Sequence, residues 1–69
     1  MAPSNGLGKA IRALRKMQGM TQKELADKAG MERTSITNIE LGNQVLTERT
    51  IRALADAMGY TVHVTFRRK

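Results

Sequence analysis

The chain has 69 residues, enough for one domain with a single modest core but not for two. It contains no cysteine and one histidine, so we expect no disulfide bond, no metal site and no cofactor to support that core. Twelve Lys and Arg against six Asp and Glu give a net charge of +6, which favours an anionic partner. Because only one Tyr and one Phe are available for base stacking, duplex nucleic acid fits better than single strands.

The sequence does not favour an enzyme or a membrane protein. The single His63 is isolated and the carboxylates are scattered along the chain, so no positioned acid, base, nucleophile or metal is expected. No apolar run has the length of a signal peptide or a membrane span. We therefore expect a non-enzymatic, cytoplasmic protein.

The first predicted element is an amphipathic helix from Leu7 to Gln18, preceded by a flexible arm at residues 1–6. Gly19 ends it, because glycine readily takes the left-handed conformation that closes many helices. Apolar residues recur along it at helical steps: Leu7, Ala10, Ile11, Leu14 and Met17. The basic residues Lys9, Arg12 and Lys16 fall elsewhere and either contact DNA phosphates or form a solvated face.

Two short helices come next. Thr21 and Glu24 have the spacing of a capping box, which predicts a helix that starts there and closes at Gly30. Leu25, Ala26 and Ala29 form its expected inner face. The following segment, Glu32 to Leu41, predicts a helix with a polar outer face that ends at Gly42.

A fourth helix and a strand complete the prediction. Thr47 is the expected cap of the fourth helix and Gly59 its end, with an inner stripe at Ile51, Leu54, Ala55 and Met58. The alternation from Tyr60 to Phe66 predicts a β-strand. Its hydrogen-bonding groups would be unpaired in a monomer, so we expect the 60–66 strand to pair across a homodimer. The expected dimer interface is Val62, Val64 and Phe66.

The spacing of the second and third helices predicts a helix-turn-helix. Ala26 is small where the helices cross, Gly30 allows a tight turn, and Ile36 and Ile39 pack inward. The third helix, from about Arg33 to Glu40, then protrudes from the protein surface and fits the DNA major groove. The predicted base-contacting residues are Arg33, Thr34 and Asn38, which suit guanine, thymine and adenine edges.

Several motifs together closely resemble the phage repressor and Cro (XRE) class of helix-turn-helix DNA-binding proteins. These motifs are Ile11-Arg12-x-x-Arg15, Thr21-Gln22-x-x-Leu25-Ala26, Ala29-Gly30, Ile36 and Ile39-Glu40-x-Gly42. The resemblance implies that Thr21 and Gln22 touch a DNA phosphate and that Arg15 forms a structural ion pair with Glu40. The other residues expected to contact the DNA backbone are Ser35, Thr37, Asn43 and Arg12.

The sequence departs from that class at two places. Glu32 stands where the class usually has a Ser or Thr cap, and it either accepts from a cytosine, holds Arg33 in place or lies in solvent. The C-terminal strand replaces a fifth helix and is more similar to Cro or antitoxin relatives. The basic 67–69 tail either follows the DNA or is a solubilising end.

The expected fold is mainly α, a compact four-helix bundle with a helix-turn-helix and a C-terminal strand. The expected function is that of a homodimeric transcription regulator, a repressor of Cro type on a short inverted repeat of double-stranded DNA. The alternatives are an antitoxin or other protein-interaction module with secondary DNA binding, and non-specific binding to anionic polymers or membranes.

Overall fold

The computed structural model describes residues 3–63 and residue 68, with side chains from Gly6 onward. The described residues form four helices: α1 (Pro3–Met17), α2 (Gln22–Ala29), α3 (Arg33–Leu41) and α4 (Glu48–Ala57). Helix α3 packs against both α1 and α2, and α2 also packs against α4. The predicted mainly α, four-helix fold is confirmed for this part of the chain.

The N-terminus of α1 differs from the prediction. The helix begins at Pro3, so residues 3–6 of the predicted flexible arm are helical. Proline suits the first turn of a helix, because its φ is already helical and its missing N–H would have had no partner there. Gly6, which lay in the predicted arm, is within the helix, as is Gly8, which the prediction had already placed there.

Gly8 marks the closest approach of α1 to α3. It is buried, and a Cβ built on it would collide with the backbone carbonyl oxygen of Ile39. A glycine is therefore needed at this point for the two helix backbones to touch. The first turns of α1 therefore lie directly against α3.

The core lies where the helices meet. Its buried apolar residues are Ile11, Leu25, Ala26, Ile36, Ile39, Leu54 and Met58. The predicted inner faces of α2, α3 and α4 supply most of this set. Helix α1 fits less well, because Met17 is 77% exposed and Leu7 37% exposed. The described buried positions of α1 are Gly8, Ile11 and Arg15, and neither Leu7 nor Met17 is on that face.

The ends of the short helices follow their local signals. Thr21 accepts a hydrogen bond from the Glu24 backbone N–H, and the Glu24 side chain accepts from the Thr21 backbone N–H, so the capping box is complete. Gly30 has φ +69°, the left-handed conformation that glycine takes without steric cost. Thr47 likewise caps α4 by accepting from the Thr50 backbone N–H.

The predicted strand is not seen in the part that the structure describes. Residues 60–63 are neither helix nor strand, and residues 64–66, which include Val64 and Phe66, lie outside the described residues. A strand is defined by hydrogen bonds to a neighbour, and the described residues contain no second strand to supply one. The strand and its pairing therefore stay predictions.

Candidate nucleic-acid interface

The outer face of α3 carries the side chains expected to read DNA. Arg33, Thr34 and Asn38 are all exposed, while Ile36 and Ile39 on the opposite face are fully buried. Among the described residues, neither Arg33 nor Asn38 makes a side-chain hydrogen bond, so their donors and acceptors are available to a ligand. The structure thus brings the three predicted base-contacting residues to one surface.

The beginning of α3 lacks a side-chain cap. Glu32 occupies the N-cap position in extended conformation, but its side chain bonds no backbone N–H of the first turn. It is exposed, next to Arg33. The first turn of α3 therefore has no side-chain cap, although a carboxylate at this position still suits the positive end of the helix dipole.

A buried ion pair joins α1 to the end of α3. The Arg15 guanidinium donates twice to the Glu40 carboxylate, from Nε to Oε2 at 2.6 Å and from Nη2 to Oε1 at 3.0 Å. Its Nη1 also donates to the Met20 carbonyl oxygen at 2.8 Å. Such bidentate, charge-assisted pairing fixes relative orientation as well as distance. The structure therefore brings together the two residues that the resemblance implied would pair.

The neighbours of Glu40 keep its carboxyl group ionised. Burial by itself would raise the pKa of Glu40, but hydrogen bonds from Arg15 and Gln22, with the charges of Arg15 and Arg12, bring that pKa below its ordinary value. The hydrogen bond to Glu40 raises the pKa of Arg15 in turn. Glu40 is therefore a carboxylate at neutral pH.

Gln22 connects this ion pair to the middle of α3. Its Nε2 donates to Glu40 Oε1 at 3.1 Å, and its Oε1 accepts from the Thr37 hydroxyl at 2.8 Å. We call the four side chains Arg15, Gln22, Thr37 and Glu40 the Glu40 network. No buried polar side-chain atom lacks a hydrogen bond in the described part of the chain. The network ties α1, α2 and α3 together.

A small pocket of 190 Å³ opens beside the Glu40 network. It is lined by Arg12, Gln22, Thr37, Glu40 and Leu41. Gln22 is the first residue of α2, so the positive end of that helix lies at the pocket. Helix N-termini suit anions, and Arg12 adds an exposed cation.

The remaining predicted backbone contacts flank the outer face of α3. Ser35 is half-buried in its first turns, and Thr21 is exposed before α2. Asn43 is exposed just beyond α3, where its backbone N–H donates to the Asn38 carbonyl oxygen at 2.9 Å. These positions border the same surface, and their roles on DNA stay predictions.

Two connections had not been predicted from the sequence. The Gln22 bonds to Glu40 and Thr37 join residues 18 and 15 positions apart, a separation at which no local pattern signals contact. Gln18 Nε2 also donates to the Met58 carbonyl oxygen at 2.6 Å, which fixes the end of α1 to the end of α4. Only the packing of the helices reveals either contact.

Within residues 3–63 and 68, no helix has the length and apolarity to cross a bilayer. The same residues hold no cluster of three His, Cys, Asp or Glu side chains placed to bind a metal ion.

Comparison with known proteins agrees with this geometry. The family described as Helix-turn-helix matches residues 11–64, which is most of the chain. The chain belongs to this family. The predicted resemblance to the XRE-type helix-turn-helix class is thereby confirmed.

Two individual proteins show the similarity of this helix-turn-helix chain to regulators. It is 40% identical over 60 residues to a competence pilus inhibition repressor of Acinetobacter baylyi. That match covers 87% of this chain but 54% of the repressor, so the chain spans about half of that relative's length. The crystal structure of the restriction-modification controller protein C.AhdI from Aeromonas hydrophila superposes with a TM-score of 0.83 at 28% identity, over 87% of this chain and 91% of that one. Family and relatives together support DNA-binding transcription regulation.

Proposed function

We propose that this helix-turn-helix protein binds double-stranded DNA sequence-specifically as a homodimeric repressor that occupies a short inverted repeat. The observation that carries the proposal is the exposed row Arg33, Thr34 and Asn38 on a helix fixed from behind by Gly8 and the Arg15–Glu40 ion pair. A rigid helix with a polar, solvent-facing row can enter the major groove and hold its side chains against base edges. A repressor among its relatives suggests the direction of the effect.

Each residue of the row has a chemical preference. Arg33 can donate two hydrogen bonds to O6 and N7 of guanine, and Asn38 can pair with N6 and N7 of adenine. Thr34 can bond a base edge or place its methyl group against thymine. The pocket with Arg12 and Gln22 then receives a backbone phosphate and sets the register of α3 on the duplex.

Dimerisation is expected because one recognition helix contacts few base pairs. A single recognition helix contacts too few base pairs to select a site in a genome, so two must act together. An apolar groove of 300 Å³ between α1 and α4 includes Leu14, Ile51, Tyr60 and Val62 and lies on the side from which the C-terminal segment leaves. Antiparallel pairing of the 60–66 strands beside this groove would set two α3 helices one DNA turn, about 34 Å, apart.

Selection of bound sequences from a pool of random DNA duplexes tests the proposal. The expected result is an enriched short inverted repeat, bound by a dimer in sedimentation of the complex. Enrichment of a site without a repeat would refute the homodimer, and absence of any enriched sequence would refute specific readout.

The Arg33→Ala variant distinguishes readout from charge attraction. Loss of a bidentate contact with guanine is expected to weaken binding by about 1–3 kcal/mol at the selected site. The matched control is Arg49→Ala, an exposed arginine in the first turn of α4. If both variants weakened binding equally at selected and unselected duplexes, binding would be non-specific.

The α1–α4 groove also favours a second candidate, a protein-interaction module of antitoxin type. Its apolar lining, with Leu7 and Tyr60 exposed at 37% and 44%, suits an apolar segment of another protein. A chain that is monomeric when purified alone and that binds DNA only with a co-purified partner would favour this function. A homodimer that binds the inverted repeat unaided would exclude it.

A further inference from the structure

The Glu40 carboxylate, which can only accept hydrogen bonds, determines the hydrogen-bond directions in the Glu40 network. The Glu40 carboxylate is held ionised by Arg15, which donates to both of its oxygens. Whatever else contacts Glu40 must therefore donate. The Gln22 amide consequently turns its NH₂ group to Glu40 and its carbonyl oxygen the other way.

That orientation decides what Thr37 does with its single hydroxyl proton. The atom facing Thr37 Oγ1 at 2.8 Å is the Gln22 carbonyl oxygen, which can only accept. The second neighbour, the Arg33 backbone carbonyl oxygen at 3.2 Å, also only accepts. With either neighbour the Thr37 proton points into the protein, and the hydroxyl offers only lone pairs outward.

A DNA phosphate needs donors, because its oxygens only accept. Thr37 has no proton left for it, although the residue lines the pocket. Gln22 does have one, since its NH₂ group has two N–H bonds and Glu40 takes one. Gln22 and Thr37, the two uncharged polar residues that line the pocket, are thus not equivalent as phosphate ligands.

We propose that Thr37 is a positioning residue that makes no hydrogen bond to phosphate, and that it acts by holding Gln22 so that its second N–H donates to one. This replaces the expectation that Thr37 itself contacts the DNA backbone. The inference rests on the proposed DNA binding and specifies which residue donates the hydrogen bond to phosphate. Within the Glu40 network, Arg15 and Glu40 orient the Gln22 amide, Thr37 holds it in place, and Gln22 donates the hydrogen bond to the phosphate, beside the charge of Arg12 at the same pocket.

A double-mutant cycle tests whether Thr37 acts through Gln22. Wild type, Gln22→Ala, Thr37→Val and the double variant are compared for binding to the duplex that the wild-type protein selects from a random pool. Gln22→Ala is expected to weaken binding about tenfold, as for a hydrogen bond to a charged group. Thr37→Val should weaken it less, and should have no further effect once Gln22 is alanine. An equal loss from Thr37→Val in both backgrounds would overturn the proposal.

Thr34→Val is the matched control, since it removes a hydroxyl from the same helix at a position that points outward. Its effect should add to that of Gln22→Ala in full, because Thr34 lies outside the Glu40 network. Thermal unfolding checks that every variant is folded at the assay temperature. If Thr37→Val does not fold, Thr37→Ala takes its place in the cycle, and Thr37→Ser, which keeps the hydroxyl, should bind like wild type.

Neutralising single phosphates gives a readout that a purely structural role would not change. A methylphosphonate at the contacted phosphate should weaken wild-type binding, and Gln22→Ala should reduce that penalty at this one position, leaving the share that comes from Arg12. Thr37→Val should reduce the penalty at the same phosphate and at no other. A different phosphate whose penalty disappears only in Thr37→Val would show a direct contact and overturn the proposal.

The failure of this inference differs from failure of the proposed function. If the wild-type chain bound neither the selected duplex nor one of random sequence, DNA binding itself would be refuted and the inference with it. If the wild type bound tightly but the cycle showed no coupling, only the assignment of Thr37 would be wrong.

Discussion

Helices α2 and α3 are of similar length and lie side by side, yet they are fixed by opposite means. The N-terminus of α2 is closed by its own sequence, with both bonds of the Thr21–Glu24 capping box present. The N-terminus of α3 has no such bond, and Glu32 leaves its first turn uncapped. Helix α3 is held instead from elsewhere in the chain, by Gly8, by the buried Ile36 and by Arg15 on α1.

A missing N-cap bond lowers local helix stability, so the uncapped start of α3 depends on packing of its opposite, buried face. Helix α2 has its own capping bonds and also packs against α3. The following variants test this division, in order of decreasing expected effect.

Glu40→Ala should have the largest effect, because it leaves the Arg15 guanidinium buried without its partner. Removing one member of a buried ion pair typically costs about 3–5 kcal/mol in the free energy of unfolding, measurable by urea denaturation. Glu48→Ala is the matched control, since Glu48 also pairs with an arginine, at 2.8 Å, but with its side chain 65% exposed. Solvent screening should limit that loss to about 0.5 kcal/mol or less. Equal losses would contradict the role given to the buried pair.

The same carboxylate predicts how stability depends on pH. The pKa of Glu40 is lower in the folded chain than in the unfolded chain, so its contribution is full above the ordinary carboxyl pKa. It should be lost as the pH falls through the lower, folded pKa. Unfolding curves recorded through the acid range should show this loss in wild type and a smaller one in Glu40→Ala. Identical acid dependence in the two would contradict it.

Gly8→Ala should come next, because the added methyl group would meet the Ile39 carbonyl oxygen and push α1 off α3. Overpacking of this kind costs about 1–3 kcal/mol in the free energy of unfolding. Gly6→Ala is the control in the same helix, where a Cβ would meet nothing within 4 Å. It should stabilise the chain by about 0.5–1 kcal/mol, since alanine favours helices. A stabilising Gly8→Ala would show that α1 does not press on α3.

Thr21→Ala should have a smaller effect and should act on α2. Loss of an N-cap side chain costs about 0.5–2 kcal/mol in the free energy of unfolding. Thr47→Ala, which removes the equivalent bond at α4, is the comparison. Thermal unfolding of both variants should give similar shifts, and an unchanged melting temperature for Thr21→Ala would mean that packing, not capping, fixes α2.

Glu32→Ser should have the smallest effect and the opposite sign. A serine at the N-cap supplies the missing bond and should stabilise the chain by up to about 1 kcal/mol. Site selection with this variant distinguishes the three roles of Glu32. An unchanged base preference indicates a solvent-facing residue, loss of preference for one cytosine indicates a base contact, and weaker guanine preference indicates support of Arg33. A destabilised variant would show that Glu32 already stabilises α3.

Much of the fold was predictable because its signals are local. The helical spacing of apolar residues, the Thr21–Glu24 capping box, the Thr47 cap and the closing glycines predicted α2, α3 and α4 nearly residue by residue. The start of α1 was placed at Leu7 instead of Pro3, because the polar, glycine-containing residues before Leu7 carry no helical pattern of apolar residues. The predicted strand depends on a partner for its hydrogen bonds, which one sequence does not supply.

The sequence by itself determined the helix-turn-helix and the polar residues that its third helix presents, because both follow from periodicity along the chain. The resemblance also implied the Arg15–Glu40 pair, and only the tertiary structure decided the other long-range contacts that hold this helix. The contact of Gly8 with Ile39 and the bonds of Gln22 with Glu40 and Thr37 join residues far apart in sequence. Their hydrogen-bond directions follow from which atoms meet, and no pattern along the chain encodes that meeting.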